Sequence, residues 1–189
     1  MTSTDARKLL YEWVLSPSLR KHCEAVAASM HHLALKFGEP ADLWEAVGLL
    51  HDFDYEKHPT LEEHPMNGVK HLREQGVDEV ICRAILSHGN HTGVKRESSM
   101  EKSLFAVDEL SGFVTACTLV KPSKNVNDVE IASVKKKMKD KAFARQVSRE
   151  DIIQGAEELG FELDVLIGDV IEALKSKADI LELDGRMAV

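Results

Sequence analysis

His51 and Asp52 close the apolar run Ala46-Val47-Gly48-Leu49-Leu50, and the spacing predicts that this run is a helix. His22 precedes the pair, and His64, His88 and Asp108 follow it, each on its own predicted helix. Two adjacent ligands from one helix, joined by single ones from several others, can converge on a metal ion in a bundle core. Imidazole and carboxylate suit Zn, Mn and Fe, with water completing the coordination. A carboxylate has two oxygens, so Asp52 can also face a second ion. Asp108 follows Leu104-Phe105-Ala106-Val107 and precedes Leu110, a costly place for an unpaired carboxylate.

These residues stand in the order His22, His51-Asp52, Asp108, which resembles the H…HD…D pattern of the HD superfamily of metal-dependent phosphohydrolases. The segment His64-Pro65-Met66-Asn67-Gly68, with His88 further on, resembles the extra histidines of its two-metal branch. That branch includes HD-GYP phosphodiesterases, HD-type diadenosine polyphosphate hydrolases and a few mixed-valence di-iron oxygenases. The resemblance spans roughly residues 15–120. It implies that His22, His51, Asp52 and Asp108 hold one ion, and that Asp52 bridges to a second completed by His64 and His88. Water held between two such ions ionises near neutral pH, its pKa falling from 15.7 to roughly 7 on one ion alone. The implied activity is hydrolysis of a small phosphate ester or anhydride, such as a nucleotide or dinucleoside polyphosphate, with Asp52 in the catalytic centre. Fe or Mn is expected ahead of Zn, Co or Ni. The same ligand set also supports a di-iron oxygenase, and a metal-stabilised binding module without turnover is the third reading.

The chain departs from the HD-GYP pattern in two places. Asp54 stands where that group has Lys, and Gly89-Asn90-His91-Thr92-Gly93 replaces its Gly-Tyr-Pro signature. Cyclic dinucleotide hydrolysis is therefore not implied, and the chain looks more like the small stand-alone HD-domain proteins. Asp54 is expected either to hydrogen-bond a ligand histidine or to cap the turn. His91, three residues beyond His88, is a candidate catalytic acid or substrate contact. His31, His32, His58 and His71 are read as structural or exposed, and Lys57 as facing solvent.

The elements that must position these residues are helical throughout. Leu19, Cys23, Val26, Met30, Leu33 and Phe37 form one stripe of a helix opened by Ser16-Pro17 and stopped by Gly38. Further helices are expected over 41–53, from a Thr60/Glu63 capping box to Gln75, over 78–88, over 100–120, over 148–159 and from about 163 to 183. The expected architecture is an all-α bundle, one HD-type domain over 1–189, with helices in 127–185 completing it.

Composition limits the alternatives. The 189 residues are 43% hydrophobic and 30% charged, enough for one sizeable core. No apolar run approaches the ~20 residues that cross a bilayer, and the N-terminus lacks a signal-peptide stretch. Cys23, Cys82 and Cys117 are widely spaced with no CxxC pair, as in a reducing compartment, so the expected location is the cytoplasm. A net charge of −8 argues against coating a nucleic acid polymer. The basic stretch from Lys135 to Arg149 is either a phosphate-binding face or a solvated helix face. Lys121, Lys124, Arg145 and Arg149 are the candidate contacts for a small phosphorylated substrate. The sequence does not fix an oligomeric state.

Overall fold

The computed structural model describes residues 1–188, and among them regular structure is helical. In chain order the helices are α1 (Ser3–Trp13), α2 (Pro17–Phe37), α3 (Ala41–Leu50), α4 (Met66–Glu74), α5 (Glu79–Ser87), α6 (Ser99–Leu119), α7 (Ile131–Met138), α8 (Arg149–Leu159) and α9 (Leu163–Ser176). The long helices α2 and α6 form the axis. Against them pack α3 and α5, which carry α1 and α4 respectively, and also α7, α8 and α9.

Local chemistry accounts for most boundaries. Ser16 caps α2 ahead of Pro17, and Gly38 ends it in the left-handed conformation, φ 72°. Ser98 and Glu101 form a reciprocal capping box at the start of α6. Asp78 and Ser148 cap α5 and α8 through their side chains.

Two helices go beyond the sequence expectation. Thr2 and Asp5 form a capping box for α1, which buries Ala6 and Leu10. Arg7 of α1 binds both buried carboxylates Glu24 and Glu45, on α2 and α3, at 2.7 and 2.8 Å. His31, expected to face solvent, joins this network through Nδ1 at 2.9 Å from Glu45. Helix α7 buries Val134 and turns its lysines outward. It is therefore largely a solvated face, with Lys135 paired to Asp164 at 2.6 Å.

Three helices are shorter than expected. α3 ends at Leu50, and residues 51–57 turn. The Thr60 hydroxyl does meet Glu63, at 3.2 Å, yet α4 begins only at Met66. Pro65 offers no N–H to the helical ladder and drives the residue before it away from helical geometry. α9 stops at Ser176 because the chain then folds back, burying Leu181 and Leu183, and the Leu183 carbonyl accepts the Val126 N–H at 2.8 Å.

Helix α3 lies so close to α2 that a Cβ on Gly48 would sit 2.6 Å from the Ala27 Cα. Only glycine permits this backbone approach. Gly48→Ala is expected to push the helices apart and lower unfolding free energy by about 1–3 kcal/mol, read from urea denaturation midpoints. An unchanged midpoint would show that the crossing is not tight.

Candidate metal centre

The end of α3 and the turn after it build the centre. His51 is fully buried at the C-terminus of α3, and its Nδ1–H donates to the Gly48 carbonyl at 2.8 Å. This bond fixes the tautomer, so Nε2 carries the lone pair that faces the core. His88 repeats the device at the end of α5, where Nδ1–H donates to the Ile85 carbonyl at 2.5 Å. His64 lies in the turn before α4, not on a helix, and its Nδ1–H donates to Asp54 Oδ1 at 2.7 Å.

The Nε2 atoms thus oriented meet one another and two carboxylates. His22 Nε2, from α2, lies 3.1 Å from His51 Nε2 and 3.0 Å from Asp108 Oδ1, on α6. His51 Nε2 is 3.4 Å from the same Asp108 oxygen. On the other side, His64 Nε2 and His88 Nε2 are 3.3 Å apart, at 3.2 and 3.5 Å from Asp52 Oδ1. Asp52 Oδ2 turns the opposite way, 3.5 Å from His51 Nε2 and 3.7 Å from His22 Nε2. Two three-ligand groups result, His22/His51/Asp108 and Asp52/His64/His88, with Asp52 between them.

In their neutral tautomers His51, His64 and His88 present lone pairs to lone pairs and to carboxylate oxygens. Such a set is stable only around positive charge, which protons or a cation can supply. Without a cation the histidines take up protons. Burial opposes this for His51, His64 and His88, but the facing carboxylates outweigh it, and His64 rises to about 9. Burial likewise opposes ionisation of Asp52 and Asp108, yet the surrounding imidazoles hold both well below the usual carboxylate range. The donor set, imidazole nitrogen with carboxylate oxygen, fits a divalent transition metal.

Asp54 supports the centre from behind. It is fully buried, and besides His64 it accepts the Gly68 N–H at 2.7 Å through Oδ2, tying the ligand to the first turn of α4. Both roles expected for Asp54, partner of a histidine and cap of a turn, are therefore filled at once. A Cβ on Gly68 would lie 2.6 Å from the Asp54 Cγ, so the glycine makes room for the carboxylate.

The other expected site residues fall elsewhere. His91 Nε2 is committed to the His64 carbonyl, at 2.9 Å, so it braces the turn instead of entering the pocket. Arg149 spends its guanidinium on the carbonyls of Ala144 and Val147, at 2.6 and 2.7 Å, and on that of Phe143, while lying over the Phe113 ring. Lys121 borders a cavity of about 410 Å³ with Cys117 and Lys136, which shares no residue with either group. Lys124 occupies a tight turn, φ 44°, and Arg145 is exposed. None of these four cations lines the two cavities that open on His22. The physical reason is that α6 carries its C-terminal end, and the loop beyond it, away from Asp108.

Three residues beside the centre escaped the sequence reading. Tyr55 packs edge-on against His64, with ring centroids 5.2 Å apart. Lys21, one residue before His22, lines one of the cavities. Glu109 accepts the Ser148 N–H at 3.1 Å at the start of α8, and burial beside Asp108 pushes its carboxyl up to about 7. Adjacency to the His22 and Asp108 ligand positions was the available signal for the last two. The remaining histidines are structural: His71 packs at a tilt against Trp13, His32 pairs with Asp169, and His58 meets Asn67. Lys57 lies exposed over the Trp13 ring.

The helical architecture and the paired His/Asp groups define an α-bundle with two side-chain groups that could each hold a metal ion. The chain belongs to the HD-domain family: the family model, described as HD domain, matches residues 19–164. Members of this family are mostly metal-dependent phosphohydrolases. No curated protein and no solved structure matches the chain. No described helix is long and apolar enough to cross a membrane.

Two outcomes are expected. The folded pKa of His64 lies above its ordinary 6.5, so its proton stabilises the metal-free fold fully below pH ~6.5. That contribution is lost as the pH rises through about 9. Calorimetric Tm of metal-free protein should fall across this window, and less so for metal-saturated protein, whose imidazoles must be neutral. Equal slopes for both forms would contradict this. Asp54→Asn should weaken metal affinity about 10–100-fold with the helical content intact, measured by competition with a chromophoric chelator. Unchanged affinity would reduce Asp54 to a turn cap.

Proposed function

We propose that the protein is a phosphohydrolase with a two-ion centre, cleaving a small phosphate ester or anhydride. The observation that carries this reading is the posture of Asp52, whose two oxygens face two separate imidazole pairs. His22, His51 and Asp108 would hold one cation, His64 and His88 the other, with Asp52 shared. Such ions supply a water of lowered pKa and neutralise phosphoryl oxygens.

The chain's own residues do the rest. Hydrogen bonds from the Nδ1–H groups of His51, His64 and His88 keep each Nε2 directed inward and unprotonated when a cation is present. The apolar residues Leu49, Leu50 and Val107, neighbours in the chain of His51 and Asp108, are fully buried and keep bulk water from this part of the core. A low local dielectric strengthens the attraction between the centre and an anionic phosphate. His22 is the part-exposed histidine of the centre and faces the route by which substrate arrives. The centre requires no nucleophilic Ser or Cys: the Cys23 thiol nearby is buried and pushed well up, and so is inert.

Protein purified without chelator should contain close to two transition-metal equivalents per chain, Fe or Mn ahead of Zn, by elemental analysis. Asp52→Ala should lose both ions and phosphate release, whereas His88→Ala should lose mainly one ion and keep its circular dichroism. At most one ion after anaerobic reconstitution would defeat the two-ion reading. Iron-dependent consumption of dioxygen without phosphate release would replace hydrolysis by oxygenase chemistry.

A further inference from the structure

A cavity of about 490 Å³ runs from the His22 ring along the groove between α2 and the C-terminal half of α6. Pro17 and Leu119 form its walls, and Leu181, from the chain that folds back after α9, closes it on a third side. Ser18 and Thr115 line it with hydroxyls. Gly112 leaves the inner end open: a Cβ there would meet only the His22 Nδ1, at 3.8 Å. The cavity is therefore continuous with the imidazole that belongs to the first ligand group.

Its charge is as telling as its shape. Lys21 is the cation on its wall, and that ammonium is paired with Glu182. The pair contributes no net charge, so the cavity cannot neutralise a chain of several phosphates. It also presents no carboxylate or carboxamide side chain to read a ribose or a base. A space of this volume is large enough for a small organic group, and its lining favours an apolar one. The second opening on His22 carries Tyr55 and the Glu56 carboxylate, which holds the N–H groups of Leu15 and Ser16 at 2.9 Å. A carboxylate there repels a second anionic arm.

We infer that the ligand of this site carries a single phosphate, and that its apolar alkyl or aryl body fills the cavity between α2 and α6. The position of the phosphate rests on the phosphohydrolase reading, whereas the apolar preference rests on the cavity alone. Nucleotides and dinucleoside polyphosphates are thereby disfavoured as substrates. Leu119 and Thr115 select for the body of the ligand and touch no reacting atom.

Calorimetric binding of hexylphosphonate and ethylphosphonate to the metal-loaded protein tests this directly. Hexylphosphonate should bind at least about tenfold tighter, because four more methylenes leave water. Leu119→Glu, at an exposed position, and Thr115→Trp, which fills the cavity, should each bring the ratio close to one with metal content and Tm unchanged. Equal affinities in the parent, a ratio that survives both variants, or tighter binding of diadenosine tetraphosphate would overturn the inference. A parallel assay of phosphate release from hexyl phosphate and ethyl phosphate separates the two readings. If the phosphonates bind as expected while no phosphate compound is hydrolysed, the hydrolase reading falls and the cavity assignment stands.

Discussion

Four imidazole nitrogens and two carboxylates are gathered where helices α2, α3, α5 and α6 meet, and each inward-facing nitrogen lies beside another nitrogen and a carboxylate oxygen. Lone pairs brought within about 3.5 Å of one another in an apolar interior repel, and burial makes the repulsion stronger. The fold tolerates the arrangement because positive charge is admitted at its centre. Each supporting hydrogen bond acts in the same direction, since it satisfies the outer nitrogen and leaves the inner one free. The buried histidines are in this sense under orders from Gly48, Ile85 and Asp54.

The constraint reaches into the packing. His51 keeps its place because the Gly48 carbonyl holds it, and Gly48 is also where α3 touches the backbone of α2. Moving α3 outward would carry His51 and Asp52 away from His22. On the opposite side Gly155 of α8 approaches Ala106 of α6 just as closely, two residues from Asp108. The network of Arg7 with Glu24 and Glu45 ties α1 to both helices beneath it. The helix-borne ligand positions are thus set by close backbone crossings and one buried ion network, while Asp54 and His91 fix His64 in its turn.

Much of this was legible in the chain. The helical stripe of α2 follows directly from its period, and the His/Asp residues stood out because charged groups are rare on apolar faces. α1 was missed although Thr2 and Asp5 carry its cap, because two buried residues make a faint stripe. The end of α3 and the start of α4 were misplaced, since periodicity continues through His51 while the backbone turns to let Asp52 and Asp54 face different partners. Pro65 marks the true start of α4, whereas the capping pattern at Thr60 placed the expected start several residues earlier. The basic residues were harder. Net charge along a segment says nothing about which carbonyl a guanidinium will find, and Arg149 found those of Asp140, Phe143, Ala144 and Val147.

The stretch after α9 gives no ligand to the centre, yet it brings Leu181 and Glu182 to the rim beside Lys21. The returning stretch therefore shapes one wall of the cavity without contributing to either His/Asp group. Substitutions in that returning stretch can redraw the shape of what enters while leaving every nitrogen and carboxylate oxygen where it stands. A lineage of such proteins could change its diet without relearning its chemistry.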